Sequence, residues 1–295
     1  MTSEAKTGSV LNSKLAGEAP RWYNRLPLHA TLVIVALVWL LPTVALLVSS
    51  FRPENQILTN GWWNAFSFPL DFTIDNYQEV LSKNNMGTSF LNSLFIAIPA
   101  TVIPIMVAAF AAYAFAWMDF PGRNLLFILV VGLLVVPLQS TLIPVLQFTT
   151  SIGLTGTFAA VWLAHAGFGL PFAIFLLRNF FMGIPSELLD SARVDGAGHA
   201  TIFARIILPL ALPGIASLAI FQFLWTWNDL LIALVFARPV NAPLTAAILQ
   251  QTRNFGQNVD VIAPGAFLQM LVPLIVFFAF QRYFVRGIMG GSVKG

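Results

Sequence analysis

Apolar positions in this chain do not alternate with polar ones. They gather in six long runs, at approximately 28–50, 90–117, 125–148, 156–177, 206–227 and 262–280, and none of these runs contains Asp, Glu, Lys or Arg. About 20 apolar residues cross the hydrocarbon core of a bilayer, and an open strand there would leave backbone groups unpaired. The pattern therefore predicts an all-α polytopic membrane protein with six transmembrane helices. The first run is longer than the apolar core of a secretory signal and no A-x-A-like cleavage site follows it, so it reads as a retained helix.

Composition agrees with that reading. Hydrophobic residues make up 58% of the 295 and charged residues only 9%, whereas a soluble domain carries about a quarter charged residues. The surplus apolar surface has to face lipid. There is no Cys, which removes disulfides, thiol nucleophiles and thiolate metal sites.

Charge placement adds an orientation. With six spans both termini share one side, and that side carries 11 of the 15 Lys and Arg, the other only Arg52, Lys83, Arg238 and Arg253. By the positive-inside rule the richer side is the cytoplasm, so both termini are expected there. The net charge of +3 then reflects topology. Nucleic-acid binding would need a clustered basic face, and the sequence has none.

The chain divides into a polar cytoplasmic lead-in (1–27), a six-helix membrane domain (28–286) and a short cytoplasmic tail (287–295). An external stretch at 51–89, with Trp62 and Trp63, suits the membrane interface. Ala108, Ala112 and Ala116 stand at four-residue spacing in the second span, which lets helices approach closely. Prolines recur within the spans, among them Pro42, Pro99, Pro104, Pro137, Pro144, Pro171, Pro209, Pro213 and Pro273. Singly, each is ordinary membrane-helix tolerance. As a set they favour kinked helices lining a transport path.

The longest internal cytoplasmic stretch, 182–205, reads as helix, break, helix. Ser186 is expected to cap it, with Glu187 and Asp190 where the helix dipole favours acids. Leu188, Leu189 and Ala192 form its apolar stripe, Gly196 and Gly198 its stop. Two roles remain open for such an amphipathic helix, resting on lipid headgroups or fitting a cleft in a cytoplasmic protein, and its acidic character favours the cleft.

Some chemistry is missing. No G-x-x-x-x-G-K-[ST] occurs, so the chain cannot cradle ATP phosphates in the P-loop manner. Ionisable residues within the spans are confined to His29 and His165, too few for an evident proton relay; a lone His such as His165 is expected to be a packed, hydrogen-bonded residue. No paired acid, His or Ser constellation suggests a hydrolase. The Trp227-Asn228-Asp229 triplet falls at the outer end of the fifth span. It reads either as a helix end beside interfacial Trp or as a polar mouth for a hydroxyl-rich substrate.

One spacing carries a family resemblance. Asp190-Ser191-Ala192, Gly196 after three residues, and Ile206-Ile207-Leu208-Pro209 after nine more resemble the E-A-A motif of inner-membrane permeases of ABC importers. Asp stands for Glu and Ser for Ala. Arg193-Val194-Asp195-Gly196-Ala197, Trp227-Asn228-Asp229, Gln281–Gly287 and the closing Gly291–Gly295 look like the second permease subunit of the maltose-type carbohydrate branch. The resemblance implies a type I ABC importer permease fold in the cytoplasmic membrane of a bacterium or archaeon. It implies that Glu187, Leu188, Leu189, Asp190, Ala192, Arg193, Asp195, Gly196 and Phe203 form a coupling segment seated in an ATPase. The tail residues Ser292, Lys294 and Gly295 would reach that ATPase too. It further implies an ATPase homodimer that binds the ATP and Mg, a second homologous permease and an extracytoplasmic sugar-binding protein. This chain itself would hold no cofactor or metal and catalyse nothing. A di- or oligosaccharide is the expected substrate, with glycerol phosphate as a second choice. The competing reading is a stand-alone secondary transporter or channel.

Overall fold

A computed structural model describes residues 26–68, 70–82, 85–252 and 258–290, and side-chain surroundings as far as residue 281. The lead-in before residue 26, Lys83, Arg253, and the tail residues Ser292, Lys294 and Gly295 lie outside the described residues. Among the described residues there is no strand.

Helix α1 (Leu26–Ser50) leaves most of its side chains exposed, its first 17 residues without exception, and buries only Ser50. Its apolar surface must be covered by lipid or by another chain. The external stretch then folds as α2 (Glu54–Thr59), a 3₁₀ turn (Trp62–Phe66) and α3 (Asp75–Ser82). Arg52, 1% exposed, ties this part together by donating to the carbonyls of Gln56, Asn60 and Gly61 at 3.1–3.2 Å. Those oxygens lie at or just past the end of α2, and Gln56 O and Gly61 O also accept from the Asn60 and Asn64 N–H groups. Asn76 donates back to the carbonyls of Ser50 and Arg52 at 3.1 and 2.7 Å.

The centre of the membrane domain is α4 (Met86–Trp117) packed along α7 (Phe158–Met182). Small residues allow it. Ala108 and Ala112 are fully buried, and Ala116 packs against the same cluster, which takes Ala173, Ile174 and Leu177 from α7. The expected four-residue alanine spacing is thus a helix-packing seam.

The third apolar run departs from expectation. It forms two helices, α5 (Arg123–Gly132, continued by a 3₁₀ turn) and α6 (Leu138–Ser151), bent by 107°. Val136 between them is extended, at φ −72° and ψ 120°. A proline ring disfavours helical backbone in the residue before it, and Pro137 follows. Of the span prolines this one alone separates two helices.

After α7 come α8 (Ser186–Val194), α9 (His199–Ile202), a π-helical turn (Phe203–Ile207) and α10 (Leu208–Asn228). Short helices α11 (Leu231–Phe236) and α12 (Leu244–Thr252) lead to α13 (Val259–Gly290). Helix α10 packs against α4, α7 and α13. Among the described residues five helices are long and apolar enough to cross a membrane, or six if the bent α5–α6 pair is one span.

Candidate functional site

Helix α8 projects from the end of the bundle where α4 and α7 terminate. Its cap is Pro185, at φ −57° and ψ 131°, and no side chain bonds to the helix start. Ser186, expected as the cap, is the first helical residue instead. The far end is better defined. Ala197 N–H donates to Ala192 O at 2.9 Å and Gly196 N–H to Arg193 O at 3.0 Å. This pair of bonds is a Schellman turn, which requires a left-handed residue at the position Gly196 fills, at φ +84°. A side chain at Gly196 would meet nothing within 4 Å. The motif glycine therefore answers a backbone demand, with open space around it.

The expected apolar stripe divides between two faces. Leu189 is 1% exposed and packs with Ala192 into the chain's own core beside Phe181, Ile202 and Phe203. Burying one leucine contributes about 2 kcal/mol, enough to pin α8 to the membrane domain. Leu188 points away, 46% exposed. Leu189 and Phe203, expected among the docking contacts, are thus interior residues here, because adjacent helical positions do not share a face. Glu187, Asp190, Arg193 and Asp195 are all exposed. Asp190 and Arg193 pair at 3.0 Å across one turn, a surface contact worth little to stability. Val194, not among the expected coupling contacts, is 88% exposed at the end of the same helix. Its signal was an apolar residue one position before the charged Asp195, outside the stripe.

Next along the chain, Leu208 N–H reaches back five residues to Phe203 O, which makes the π turn. Pro209 explains its place. A proline has no N–H to offer Arg205 and its ring crowds that carbonyl, and widening the turn relieves both. The Leu-Pro of the motif is thereby tied to a helix irregularity of the kind common at functional sites.

At the opposite end of α10 the structure separates the Trp227-Asn228-Asp229 triplet. Trp227 is 1% exposed, with its ring against Phe90 and Phe223. Asn228 is exposed and turns its amide back to Leu224 O at 2.9 Å. The Asp229 carboxylate accepts from the Ile232 and Ala233 N–H groups at 2.9 and 3.3 Å, at the start of α11. His165 lies beside it, Nε2 to Oδ2 3.5 Å, with Nδ1 2.9 Å from Val161 O. A carbonyl only accepts, so Nδ1 carries a proton. Two members of the triplet thus serve the interior, and only Asn228 faces outward.

Residues 15–290 match the model of a family described as the binding-protein-dependent transport system inner membrane component. The chain belongs to this family. It is a multi-pass membrane protein. It is 54% identical to the osmoprotective compounds uptake permease protein GgtD of Synechocystis, over 92% of this chain and 93% of that one. It is 41% identical to the alpha-glucoside transport system permease protein AglG of Rhizobium meliloti, over 90% and 96%. Its fold resembles a chain of a bacterial ABC transporter involved in the import of the acidic polysaccharide alginate, with a TM-score of 0.73, 21% identity, and 91% and 98% coverage.

Proposed function

We propose that this chain is the translocation subunit of an ATP-driven importer of hydroxyl-rich, uncharged solutes, working with a second permease, an ATPase dimer and an extracytoplasmic binding protein. One observation carries the reading. Helix α8 is pinned inward by Leu189 while Glu187, Leu188, Asp190, Arg193 and Val194 stand exposed, in a chain that has no ATP-binding loop of its own. A face that mixes charge with apolar side chains at the end of a membrane bundle suits a cleft in a soluble partner. ATP and Mg would be bound by that partner, and its closure would move α8 and, with it, the spans that open outward or inward. The excess of Lys and Arg on the α8 side supports a cytoplasmic position for both termini.

The relatives named for alpha-glucosides and osmoprotective compounds support a di- or oligosaccharide or a similar neutral solute. Chemistry agrees. Helix α4 contains no Lys or Arg, and neither does α10, so glycerol phosphate would find no countercharge along these spans.

The test is to co-express the chain with its neighbouring genes, solubilise gently, and measure ATPase activity with binding protein and candidate sugars. Native chain should carry the motor along and give sugar-stimulated turnover. Gly196→Pro should lose it, because proline can adopt neither φ +84° nor the N–H bond to Arg193. A chain that purifies without a motor, yet gives gradient-driven flux in vesicles, would make it a secondary transporter.

A further inference from the structure

Helix α8 leaves through two glycines, Gly196 and Gly198, and a side chain at either would meet nothing within 4 Å. Glycine dihedrals are the softest in the chain. A displacement of α8 would be taken up by rotation there unless contacts bridge the turn.

One contact stands on its far side. The Tyr113 hydroxyl of α4 lies 2.9 Å from Nδ1 of His199, the first residue of α9. The Tyr113 ring, in a residue 5% exposed, also packs 5.2 Å from Phe203 at the head of the π turn. Phe110, one turn earlier on α4, packs 5.0 Å from the same Phe203 ring. A single buried phenol on a spanning helix thus meets both His199 and Phe203 on the far side of the glycine turn. A phenol can donate or accept, so it can bond Nδ1 in either neutral tautomer of the imidazole.

We propose that Tyr113 and His199 form a strut, a positioning pair that ties the far side of the glycine turn to α4. Movement of α8 then reaches α4 and α10 instead of being absorbed at Gly196 and Gly198. This rests on the reading of α8 as the motor contact.

The experiment uses the assembled complex of this chain, second permease, ATPase and binding protein. The variants are Tyr113→Phe, His199→Ala, the double variant, and His199→Asn, whose amide can stand in for Nδ1. Motor co-purification, basal ATPase rate and sugar transported per ATP hydrolysed are measured for each. Co-purification and basal rate should stay near native in all four. Sugar per ATP should fall about fivefold or more in Tyr113→Phe and in His199→Ala, the lower end of measured couplings between sites. The double variant should be no worse than either single, and His199→Asn should recover most of the loss. Native stoichiometry in Tyr113→Phe, or single losses that multiply in the double variant, would overturn the strut. If Gly196→Pro remains defective in that case, the motor contact survives and the strut alone is lost. A native complex in which no motor co-purifies would overturn both.

Discussion

Trp227 and Gln269 hold each other by two reciprocal hydrogen bonds. The indole Nε1 donates to Gln269 O and the amide Nε2 donates to Trp227 O, each at 2.8 Å. The second bond falls where it is needed, because the carbonyl of Trp227 is among the last four of α10 and has no partner within its own helix. Gln269, on α13, therefore caps α10 from outside, while the Trp227 ring fills the space between α10 and α4.

Gln269→Leu should test this clasp. It keeps a side chain of similar size but strips the buried Trp227 carbonyl of its donor, a loss of about 1–3 kcal/mol. The assembled complex in detergent should melt at a lower temperature, with sugar transported per ATP unchanged. An unchanged melting temperature would mean that the two helices are held by packing alone.

Asp229 separates a path role from a structural one. Its carboxylate accepts two N–H groups at the start of α11, and losing such an acceptor costs about 0.5–2 kcal/mol. Asp229→Ala should lower thermal stability by that amount, while Asp229→Asn, which keeps an acceptor oxygen, should cost much less. Neither should change the KM for sugar. A KM shift in both variants at unchanged stability would return Asp229 to the substrate path.

These two residues also mark what the sequence could not tell. The spans were legible because lipid tolerates no unpaired charge, and the stop of α8 was legible because a glycine after an amphipathic turn has few other uses. A Trp or Asp at a span end reads the same whether it meets substrate or a neighbouring helix. The choice depends on Gln269, 42 residues away, and on His165, brought alongside by α7. The break at Pro137 was visible as a proline, but the other prolines in the spans lie in helices or at a helix start, so its separate fate depended on tertiary surroundings. Leu188 and Leu189 failed as a common stripe for a simpler reason: neighbours in a helix point about 100° apart.

That division of α8 predicts opposite phenotypes for residues on its two faces. Val194→Asp places a charge on a side chain already 88% exposed, so the chain's own stability should change by no more than about 0.5 kcal/mol. Motor co-purification should nevertheless fall several-fold. Leu189→Ala should do the reverse, costing about 2–5 kcal/mol as a buried truncation and reducing folded protein in the membrane. Pull-down and melting measurements on both variants decide it. Equal motor recovery with native and Val194→Asp chains would exclude this face as the docking surface.

Gly196 allows a finer test, because its backbone demand and its surroundings can be separated. The position needs φ near +84° and has open space around it. An ordinary side chain in that conformation costs about 1–2 kcal/mol, whereas asparagine visits it readily. Gly196→Asn should therefore keep most sugar-stimulated ATPase activity, and Gly196→Val should lose most of it although valine is the more apolar of the two. Both changes leave the spans untouched, so membrane insertion and yield should match the native chain. If asparagine and valine are equally damaging, the motor itself approaches Gly196 too closely for any side chain, and the glycine is required by the interface as well as by the turn.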